Sequence, residues 1–498
     1  MSNTAKTLLS LLSENEKLGF QYHLKKRNKR PDARNIQLFK DLQKDQGYKL
    51  QEEIGLNAYN VLNKRLTDRL IDYTAGCILA KENTSEVEIM KLIILSRKLF
   101  SFKAYKAAFK LLQLAKKKAS KIQHYHLLNE IYHSLIEHSY HEYAPDQNEV
   151  ISEFQLNKKA FENQSNLNMA YAVIRKEFHD HERQAAPFNL STIIEDNFKK
   201  FNIQTDVGYN FKSLYQIAEM TDISGALRKN YFGVDLFFEQ QIKKIKGGPL
   251  DNEDQLIYHI DLVYLIAHIY FRKKDFDQSL AHLDNMMVQM TRFNKRYYTT
   301  RIAKHQTLFA LNHNFKGNYE VAETALDILS TPIKGEISRE LLQAELARIM
   351  IHIQQEELLQ AKKALGALKR SDSWYMDNIG TEWLLNKKFI EILLHIELGN
   401  TGLVDSRVNS LMRKKEAFFK GSTAQGLVFL KLIKTYHQNP QLVTSSEFMA
   451  KVEKAFEWKP TEEEDLFLIS FYAWLKSKMT KQPLYETTLN LVGTLQSN

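Results

Sequence analysis

The chain of 498 residues has few of the residues that interrupt or cross-link secondary structure. It contains 8 prolines and 18 glycines, too few for a sandwich or barrel, which needs a turn about every ten residues. The single cysteine, Cys77, excludes an intrachain disulfide framework and any zinc site built on a cysteine cluster. We therefore expect long helices with short connections, and a location in the reducing cytoplasm.

Long apolar runs are also missing. The most apolar stretch near the middle, residues 256–271, is interrupted by His259, Asp261 and His268 and is shorter than the ~20 apolar residues of a membrane-spanning helix. The N-terminus becomes polar at Ser13 to Lys17, where a signal peptide would continue as an apolar core followed by a cleavage site. We expect neither a signal peptide nor a membrane span.

The sequence contains no phosphate-binding loop, no dinucleotide-binding glycine turn and no nucleophile elbow. Glu130, His133, Glu137 and His141 follow one another at helical steps of three, four and four, and such a face can ligate a metal in principle. A carboxylate di-iron bundle needs a second such pair and two further glutamates, and no convincing partner is found. We interpret this face as solvated, and predict a non-enzyme without catalytic, cofactor-binding or metal-ligating residues.

What the sequence does contain is a repeated helical pattern. An aromatic residue or leucine is followed by a small residue three positions later and by apolar residues seven and ten positions later. These offsets put all four side chains on one helical stripe, where the small residue lets a neighbouring helix come close. The copies are Tyr105, Ala108, Leu112 and Ala115; Phe276, Ser279, Leu283 and Met286; Tyr319, Ala322, Leu326 and Leu329; and Leu358, Ala361, Leu365 and Leu368.

The last three copies begin 43 and 39 residues apart, a period typical of stacked helical hairpins. Short polar connections between them are typical of antiparallel helices. The predicted pairs are 254–270 with 276–290, 296–313 with 319–329, 338–352 with 358–369, and 381–398 with 403–419. About four shorter helices in the last 75 residues are expected to close the stack.

The rest of the chain is also predicted to be helical. The predicted helices are 7–24, 35–43, 57–73, 89–100, 105–121 and 124–143, followed by helical periodicity over 150–247 with breaks near 163–168, at Pro187 and at Gly208. We predict an all-α solenoid of antiparallel helical hairpins with a small N-terminal helical unit. The expected domains are a basic unit 1–76, helical hairpins 77–248, repeats 249–420 and capping helices 421–498.

The repeats resemble the tetratricopeptide repeat family, with divergent features. Ala267 and Tyr270 match the small and aromatic residues of the family's first helix, Gly317 and Tyr319 match its turn, and Ala322 matches its second-helix alanine. The matching motifs cover about 170 residues, the spacing exceeds the family's ~34 residues, and Lys274 and Glu356 replace the turn glycine. The resemblance implies a right-handed superhelix with a concave groove for peptides or partner proteins.

The positive charge is concentrated in the first quarter of the chain. Residues 1–130 carry a net charge of +12, and the other 368 residues carry −2. From Ile89 to Asn129 there are ten basic residues and no acid. This predicted hairpin either contacts acids elsewhere in the chain or binds an anionic partner such as a phosphate backbone. Its candidate contacts are Lys103, Lys106, Lys110, Lys116, Lys117, Lys118 and Lys121.

A second basic element, the predicted helix 57–73, carries Lys64, Arg65 and Arg69 beside Asn57 and Asn60. Arginine and asparagine can read base edges in a major groove. A small helical domain followed by tetratricopeptide-like repeats also resembles the layout of bacterial peptide-sensing regulators. A nucleic-acid-associated regulator, whose repeats sense a peptide or dimerise, is therefore the alternative hypothesis.

The first hypothesis is a non-catalytic scaffold that binds a protein or peptide, with no membrane partner and no cofactor. Its groove is expected on the first helices of the hairpins, with Asn312, His313 and Arg348 as candidate lining residues. Neither the identity of the partner nor the oligomeric state follows from the sequence.

Overall fold

The structure is a computed structural model, and it describes residues 4–10, 12–27, 34–43, 47–81, 84–184, 196–203, 210–228, 234–246, 248, 251–330, 338–414, 418–419, 424–455 and 466–496. Throughout these residues the regular secondary structure is helical and contains no strand. No helix among them has both the length and the hydropathy to cross a bilayer. The chain divides into two compact units, Met1–Asn157 and Lys158–Asn498, which we call the N-terminal and C-terminal units.

The N-terminal unit contains two helical cores. The first five helices pack around Phe20, Phe39 and Leu66, and the next three pack around Ala108, Leu112 and Ile131. The helices are α1 (Thr4–Ser10), α2 (Glu14–Arg27), α3 (Arg34–Gln43), α4 (Gly47–Ile54), α5 (Leu56–Lys81), α6 (Ser85–Ser101), α7 (Tyr105–Lys121) and α8 (Tyr125–Glu137), followed by α9 (Gln147–Gln184), in which the division between the units falls.

Two details of this unit differ from the prediction. The predicted helix 7–24 is two helices, because Ser13 starts a new one: its N–H donates to Glu16 Oε2 at 2.8 Å and its Oγ accepts from the Glu16 N–H at 3.4 Å. This is a capping box, which satisfies backbone donors that a helix start leaves unpaired. Helix α4 was not predicted, and α5 continues through the predicted boundary at residue 76.

The break expected near residues 163–168 is wrong, because α9 is continuous through this segment. Leu167, Ala170 and Ile174 are buried there, and Asn168 Oδ1 accepts a hydrogen bond from Gln216 Nε2 at 2.8 Å. Tertiary packing therefore outweighs the weak helix propensity of the asparagines. The breaks expected at Pro187 and Gly208 lie outside the described residues.

The C-terminal unit continues as successive antiparallel helix pairs. The main predicted pairs correspond to Glu253–Arg272 with Phe276–Lys295, Tyr298–Phe315 with Tyr319–Asp327, Arg339–Gln354 with Leu358–Ala367, and Thr381–Glu397 with Thr401–Arg413, and four α-helices follow them within the described residues. The bounds are α10 (Phe211–Arg228), α11 (Val234–Ile245), α12 (Glu253–Arg272), α13 (Phe276–Lys295), α14 (Tyr298–Phe315), α15 (Tyr319–Asp327), α16 (Arg339–Gln354), α17 (Leu358–Ala367), α18 (Asp372–Asn378), α19 (Thr381–Glu397), α20 (Thr401–Arg413), α21 (Ala424–Gln438), α22 (Ser446–Ala455), α23 (Leu466–Thr480) and α24 (Leu484–Gln496).

The small residues of the repeated pattern lie where the helices approach each other. Ala108, Ser279, Ala322 and Ala361 are all 0% exposed. Ser279 also donates a hydrogen bond from Oγ to the Ala267 carbonyl of the paired helix at 2.8 Å. The predicted use of these positions as helix contacts is confirmed, and the all-helical hairpin architecture with it.

The turns inside the four pairs share one backbone conformation. The second residue after each first helix has a positive φ, of 61° at Lys274, 88° at Gly317, 61° at Glu356 and 69° at Gly399. The next residue then returns its N–H to a carbonyl near the end of that helix, as Asn318 does to His313 at 2.8 Å. This is the usual left-handed termination of a helix, and two of the four turns make it without glycine.

Candidate functional site

A cavity of about 520 Å³ lies in the C-terminal unit, on the first helices of its four main hairpins. Each helix contributes one stripe of side chains at steps of three or four residues. The stripes include Tyr264, His268 and Phe271 on α12; Lys304, Thr307, Leu311 and Asn314 on α14; Gln343, Ala347, Met350 and Gln354 on α16; and Trp383 and Asn386 on α19. We call this site the groove.

Two amide side chains form the most buried polar part of the groove. Asn314 Nδ2 donates to Gln354 Oε1 at 2.9 Å, and the two residues are 1% and 2% exposed. The Tyr485 hydroxyl donates to the Asn314 carbonyl at 2.8 Å and so fixes the end of α14. The pair is thus held rigidly by its own hydrogen bond and by a neighbouring helix.

This arrangement leaves other polar atoms of the groove without a protein partner. Asn314 Oδ1, Gln354 Nε2 and Trp383 Nε1 are buried and hydrogen bond to no group in the part of the chain that the structure describes. Most buried polar atoms in proteins are paired, and an unpaired one costs about 1–3 kcal/mol. The groove lining therefore includes three fully buried polar atoms whose hydrogen bonds the described part of the chain does not supply.

The remaining lining residues are a mixture of charged and apolar groups. The basic residues are Arg272, Lys304 and Arg339, and the acidic residues are Glu340 and Glu382. Lys304 Nζ lies 5.5 Å from the centroid of the Tyr264 ring, a cation–π distance. The near balance of charge, together with Leu311 and Met350, suits a ligand with both polar and apolar parts.

The three predicted groove residues are on these helices but do not line the cavity. Asn312 is fully buried, and its Nδ2 donates to Ser279 Oγ at 3.0 Å and to the Leu308 carbonyl at 2.8 Å. It joins two hairpins, whereas Asn314, two residues later and so about 200° around the helix, faces the groove.

Arg348 and His313 also have packing contacts. Arg348 donates to Asp327 Oδ1 at 2.6 Å and to the Leu326 carbonyl, which lies at the end of α15. A cation there is favourable, since the last carbonyls of a helix are unpaired and carry partial negative charge. His313 packs against Phe309 with ring centroids 4.5 Å apart, and burial lowers its pKa.

No protein-family model, curated protein or solved structure matches this chain. The resemblance to tetratricopeptide repeats therefore stays a prediction.

One group of side chains in the C-terminal unit is spaced as the residues that coordinate a metal ion are. Glu323, His352 and Glu357 bring three potential ligand atoms within 4.8 Å of one another. His352 Nδ1 is 2.7 Å from Glu357 Oε2, and at the equivalent turn His395 Nδ1 is 3.2 Å from Asn400 Nδ2. Because this contact recurs between a helix end and the next helix start, closing the hairpin turn explains the pairing of His352 with Glu357.

The histidine face of the N-terminal unit does not form such a group within the described residues. Glu130 instead accepts a hydrogen bond from Arg97 at 2.5 Å, which lowers the pKa of Glu130. The His133 ring lies against Phe154, with centroids 5.1 Å apart. These contacts are those of a structural helix surface.

The lysine-rich hairpin, α6 with α7, is partly neutralised inside the N-terminal unit. Lys116 pairs with Glu153 at 2.6 Å and Lys118 pairs with Glu88 at 2.5 Å, in addition to the Arg97 pair with Glu130. Glu88 and Glu130 lie directly beside the two ends of the acid-free stretch, whereas Glu153 lies on α9. Two of the predicted anion contacts thus have acidic partners on neighbouring helices.

The other five predicted lysines, four on α7 and one just before it, lie on one exposed stripe, which we call the lysine stripe. It consists of Lys103, Lys106, Lys110, Lys117 and Lys121, all exposed. The steps of four, seven and four from Lys106 to Lys121 keep these four lysines on one side of α7, and Lys103 lies in the turn before it, with φ 59°. None of them pairs with an acid among the described residues. On α5, Lys64 and Arg65 are exposed and Arg69 is half-buried, again without an acidic partner in the described ranges.

Proposed function

We propose that this chain is a non-catalytic protein- or peptide-interaction module of the tetratricopeptide-like type, acting in the cytoplasm. The observation that carries the proposal is the groove, whose lining comes from the first helices of four hairpins. Ligand sites are usually concave, partly apolar and equipped with a few buried polar groups, and a volume of about 520 Å³ is within the ordinary range. The absence of enzyme motifs from the sequence supports a binding role.

The test compares a groove variant with a matched surface variant. Leu311 lines the groove, whereas Leu359 is 76% exposed and lies outside it. Random-sequence dodecapeptides displayed on phage are selected on the full chain, and their affinities are measured by fluorescence anisotropy. Leu311→Arg should weaken binding at least tenfold, and Leu359→Arg should change it less than twofold.

Asn386 is a half-buried polar residue of the groove lining, so Asn386→Arg should disturb folding less than Leu311→Arg does. It repeats the binding test at a second position. Far-UV circular dichroism and tryptophan fluorescence check that each variant is folded. A chain that selects no peptide, or one whose peptides bind equally well to all three variants, would refute the proposal. So would turnover of a small molecule without any protein or peptide binding.

A second candidate function follows from the lysine stripe, namely contact with the phosphate backbone of DNA or RNA. Each neutralised phosphate adds about −0.9 to the slope of log affinity against log salt. Five contacts therefore predict a loss of affinity of about 10²–10³-fold between 50 and 200 mM salt. The repeats would then serve as the sensing or dimerising part of a regulator.

A triple variant of the lysine stripe should no longer bind a labelled 30-nucleotide DNA, single- or double-stranded, in 50 mM salt. Its substitutions are Lys106→Glu, Lys110→Glu and Lys117→Glu. The matched control is Lys362→Glu, Lys363→Glu and Lys369→Glu, three lysines of the C-terminal unit with the same charge change. Equal retention by both triple variants would exclude the lysine stripe as a nucleic-acid contact.

A further inference from the structure

The group formed by Glu323, His352 and Glu357 is assembled from two successive hairpins. His352 is in the last turn of α16 and is 6% exposed, and Glu357 directly precedes α17. Glu323 comes from α15, the second helix of the preceding hairpin. One ligand atom of each residue lies within 4.8 Å of the other two. Gln354 lines the groove two residues after His352, and so about 200° around α16, which places this group away from the groove.

Closing the hairpin turn accounts for only part of this group. In three turns the carbonyl of a histidine accepts a hydrogen bond from the N–H five residues later, at 2.8, 2.8 and 3.0 Å. The pairs are His313 with Asn318, His352 with Glu357, and His395 with Asn400. Asparagine therefore serves at two of these turns, and only the middle one has a carboxylate. The turn does not need Glu323 either, since that residue belongs to another helix pair.

The two carboxylates of the group lack a lysine or arginine partner among the described residues. Glu323 is half-buried and forms no hydrogen bond or ion pair within the part of the chain that the structure describes. The arginine one turn before His352, Arg348, donates instead to Asp327 Oδ1 at 2.6 Å and to the Leu326 carbonyl. Like charges this close repel, and partial burial strengthens the repulsion. A bound cation removes that cost.

We propose that Glu323, His352 and Glu357 bind Zn²⁺ through one imidazole nitrogen and one oxygen of each carboxylate. Zn²⁺ takes these donor types, whereas Mg²⁺ and Ca²⁺ take oxygen donors. At zinc–donor distances of about 2.1 Å, tetrahedral donors are about 3.4 Å apart. His352 Nδ1 and Glu357 Oε2 are 2.7 Å apart, so small rotations of the glutamate side chains complete the site. Water takes the fourth position, and the ion fastens α15 to the following hairpin.

The first arm of the test takes its variant from the equivalent turns. Glu357→Asn introduces the residue type found at two of them, so the hairpin should still fold, but one ligand is removed. The untagged full chain is stripped of metal with a chelator and titrated with ZnCl₂ by isothermal titration calorimetry. The wild type should bind one ion, and Glu357→Asn should weaken binding at least tenfold.

The second arm removes the other two ligands, each with a matched control. Glu323→Gln and His352→Gln should each weaken Zn²⁺ binding at least tenfold. Glu320→Gln makes the same charge change one turn earlier on α15, at an exposed position. His395→Gln makes the same change at a turn where asparagine stands in place of Glu357. Both controls should change the affinity less than twofold, and far-UV circular dichroism checks that every variant is folded.

Bound Co²⁺ adds a readout that scattered surface binding does not give. A site with fixed protein ligands should show the visible absorption of tetrahedral Co²⁺, and Glu357→Asn should lose it. Absence of Zn²⁺ binding, or equal binding by the wild type and the ligand variants that fold, would overturn the inference. Tighter binding of Mg²⁺ or Ca²⁺ than of Zn²⁺ would overturn it too. Because the site lies outside the groove, none of these results bears on peptide binding.

Discussion

The lysine-rich hairpin and the hairpins of the groove are built on the same stripe of small and apolar residues, yet they treat polar groups differently. In the lysine-rich hairpin the charges are on the surface, and acids on neighbouring helices pair with only some of them. In the groove hairpins polar groups are buried in specific pairs, such as Asp261 with Arg301 at 2.7 Å and Asn314 with Gln354 at 2.9 Å.

The difference shows that the stripe of small and apolar residues determines how the helices pack. The neighbouring helices determine whether a polar group is buried and paired. A first helix of the C-terminal unit contacts its own partner and the helices before and after it, so α16 has buried residues on most of its sides. Helix α7 has one buried stripe, and its opposite side is exposed. Substituting a polar group should therefore change the free energy of unfolding little in the lysine-rich hairpin and strongly in the groove hairpins. Four predictions test this contrast.

The largest effect is expected from a buried ion pair. Arg301 donates to both carboxylate oxygens of Asp261, at 2.7 and 2.9 Å, and Asp261 is 8% exposed. Arg301→Met leaves this carboxylate buried without its partner, which should lower the free energy of unfolding by about 3 kcal/mol. All four tryptophans of the chain are in the C-terminal unit, so their fluorescence during urea unfolding reports on this unit.

The control is an exposed pair of the other region. Lys118→Met breaks the pair with Glu88, whose side chains are 41% and 42% exposed, and should cost less than about 1 kcal/mol by far-UV circular dichroism. Similar costs for the two variants would contradict the contrast between the regions.

The next effect depends on pH. His259 is 1% exposed and stacks on Phe211 with ring centroids 4.0 Å apart. Burial lowers the pKa of His259 to about 4, against about 6.5 in the unfolded chain. As the pH falls below about 6.5 the unfolded chain binds a proton that the folded unit excludes until about pH 4. The stabilisation is therefore complete above pH 6.5 and decreases through this window.

Lowering the pH from 7.5 to 5 should reduce the contribution of His259 to the free energy of unfolding by about 2 kcal/mol. His259→Phe keeps the stacked ring and lacks the titrating group, so the stability difference between it and the wild type should shift by that amount over the same range. Urea unfolding followed by tryptophan fluorescence at several pH values gives the comparison. A constant difference would show that another group is responsible.

The third prediction concerns the close helix packing at the small residues of the stripe, which the two regions share. Ala108→Leu in the N-terminal unit and Ala322→Leu in the C-terminal unit both force bulk between helices in contact, and each should cost about 2 kcal/mol. Ala107→Leu, on the exposed side of α7, should cost less than about 0.5 kcal/mol. A cost for Ala108→Leu as small as that for Ala107→Leu would mean that close packing at the stripe does not organise the lysine-rich hairpin.

The smallest effects are expected at the left-handed turns. Gly399 has φ 69°, and an added methyl group would meet no other side chain there, so Gly399→Ala tests backbone conformation alone and should cost about 1 kcal/mol. Glu356 has φ 61° and is exposed, so Glu356→Gly should stabilise the unit by about 0.5 kcal/mol. In urea unfolding, Gly399→Ala should lower the free energy of unfolding and Glu356→Gly should raise it. Changes in the same direction would contradict this prediction.

Several features were predictable because they depend on nearby residues. Helix periodicity and polar connectors predicted the main hairpins, and the small residues Ala322 and Ala361 predicted where helices approach. The separate helix at Ser13 was also readable, since serine followed three residues later by Glu16 is a capping-box signal. In contrast, the continuity of α9 through Asn163 to Asn168 depends on packing against other elements, which periodicity does not report.

The lining of the groove was predicted on the correct helices but at the wrong positions on α14 and α16. Both helices are buried on most sides, so hydrophobicity does not distinguish the side that faces a cavity from the side that faces a neighbour. Asn312 and Asn314 are chemically identical, and only the rotation of α14 against its neighbours places one between hairpins and the other in the groove.

The sequence by itself determined the helices, their pairing and the concentration of positive charge, because helix period, breaking residues and residue size act over short stretches of chain. Tertiary structure alone decided which lysines have an acidic partner and which amide side chains are buried against each other. Those outcomes depend on distances of a few ångströms between residues that are about 30 to 40 positions apart, as between Lys118 and Glu88 or Asn314 and Gln354. Hydrogen bonds and ion pairs form only at such distances, and the packing of whole helices sets them.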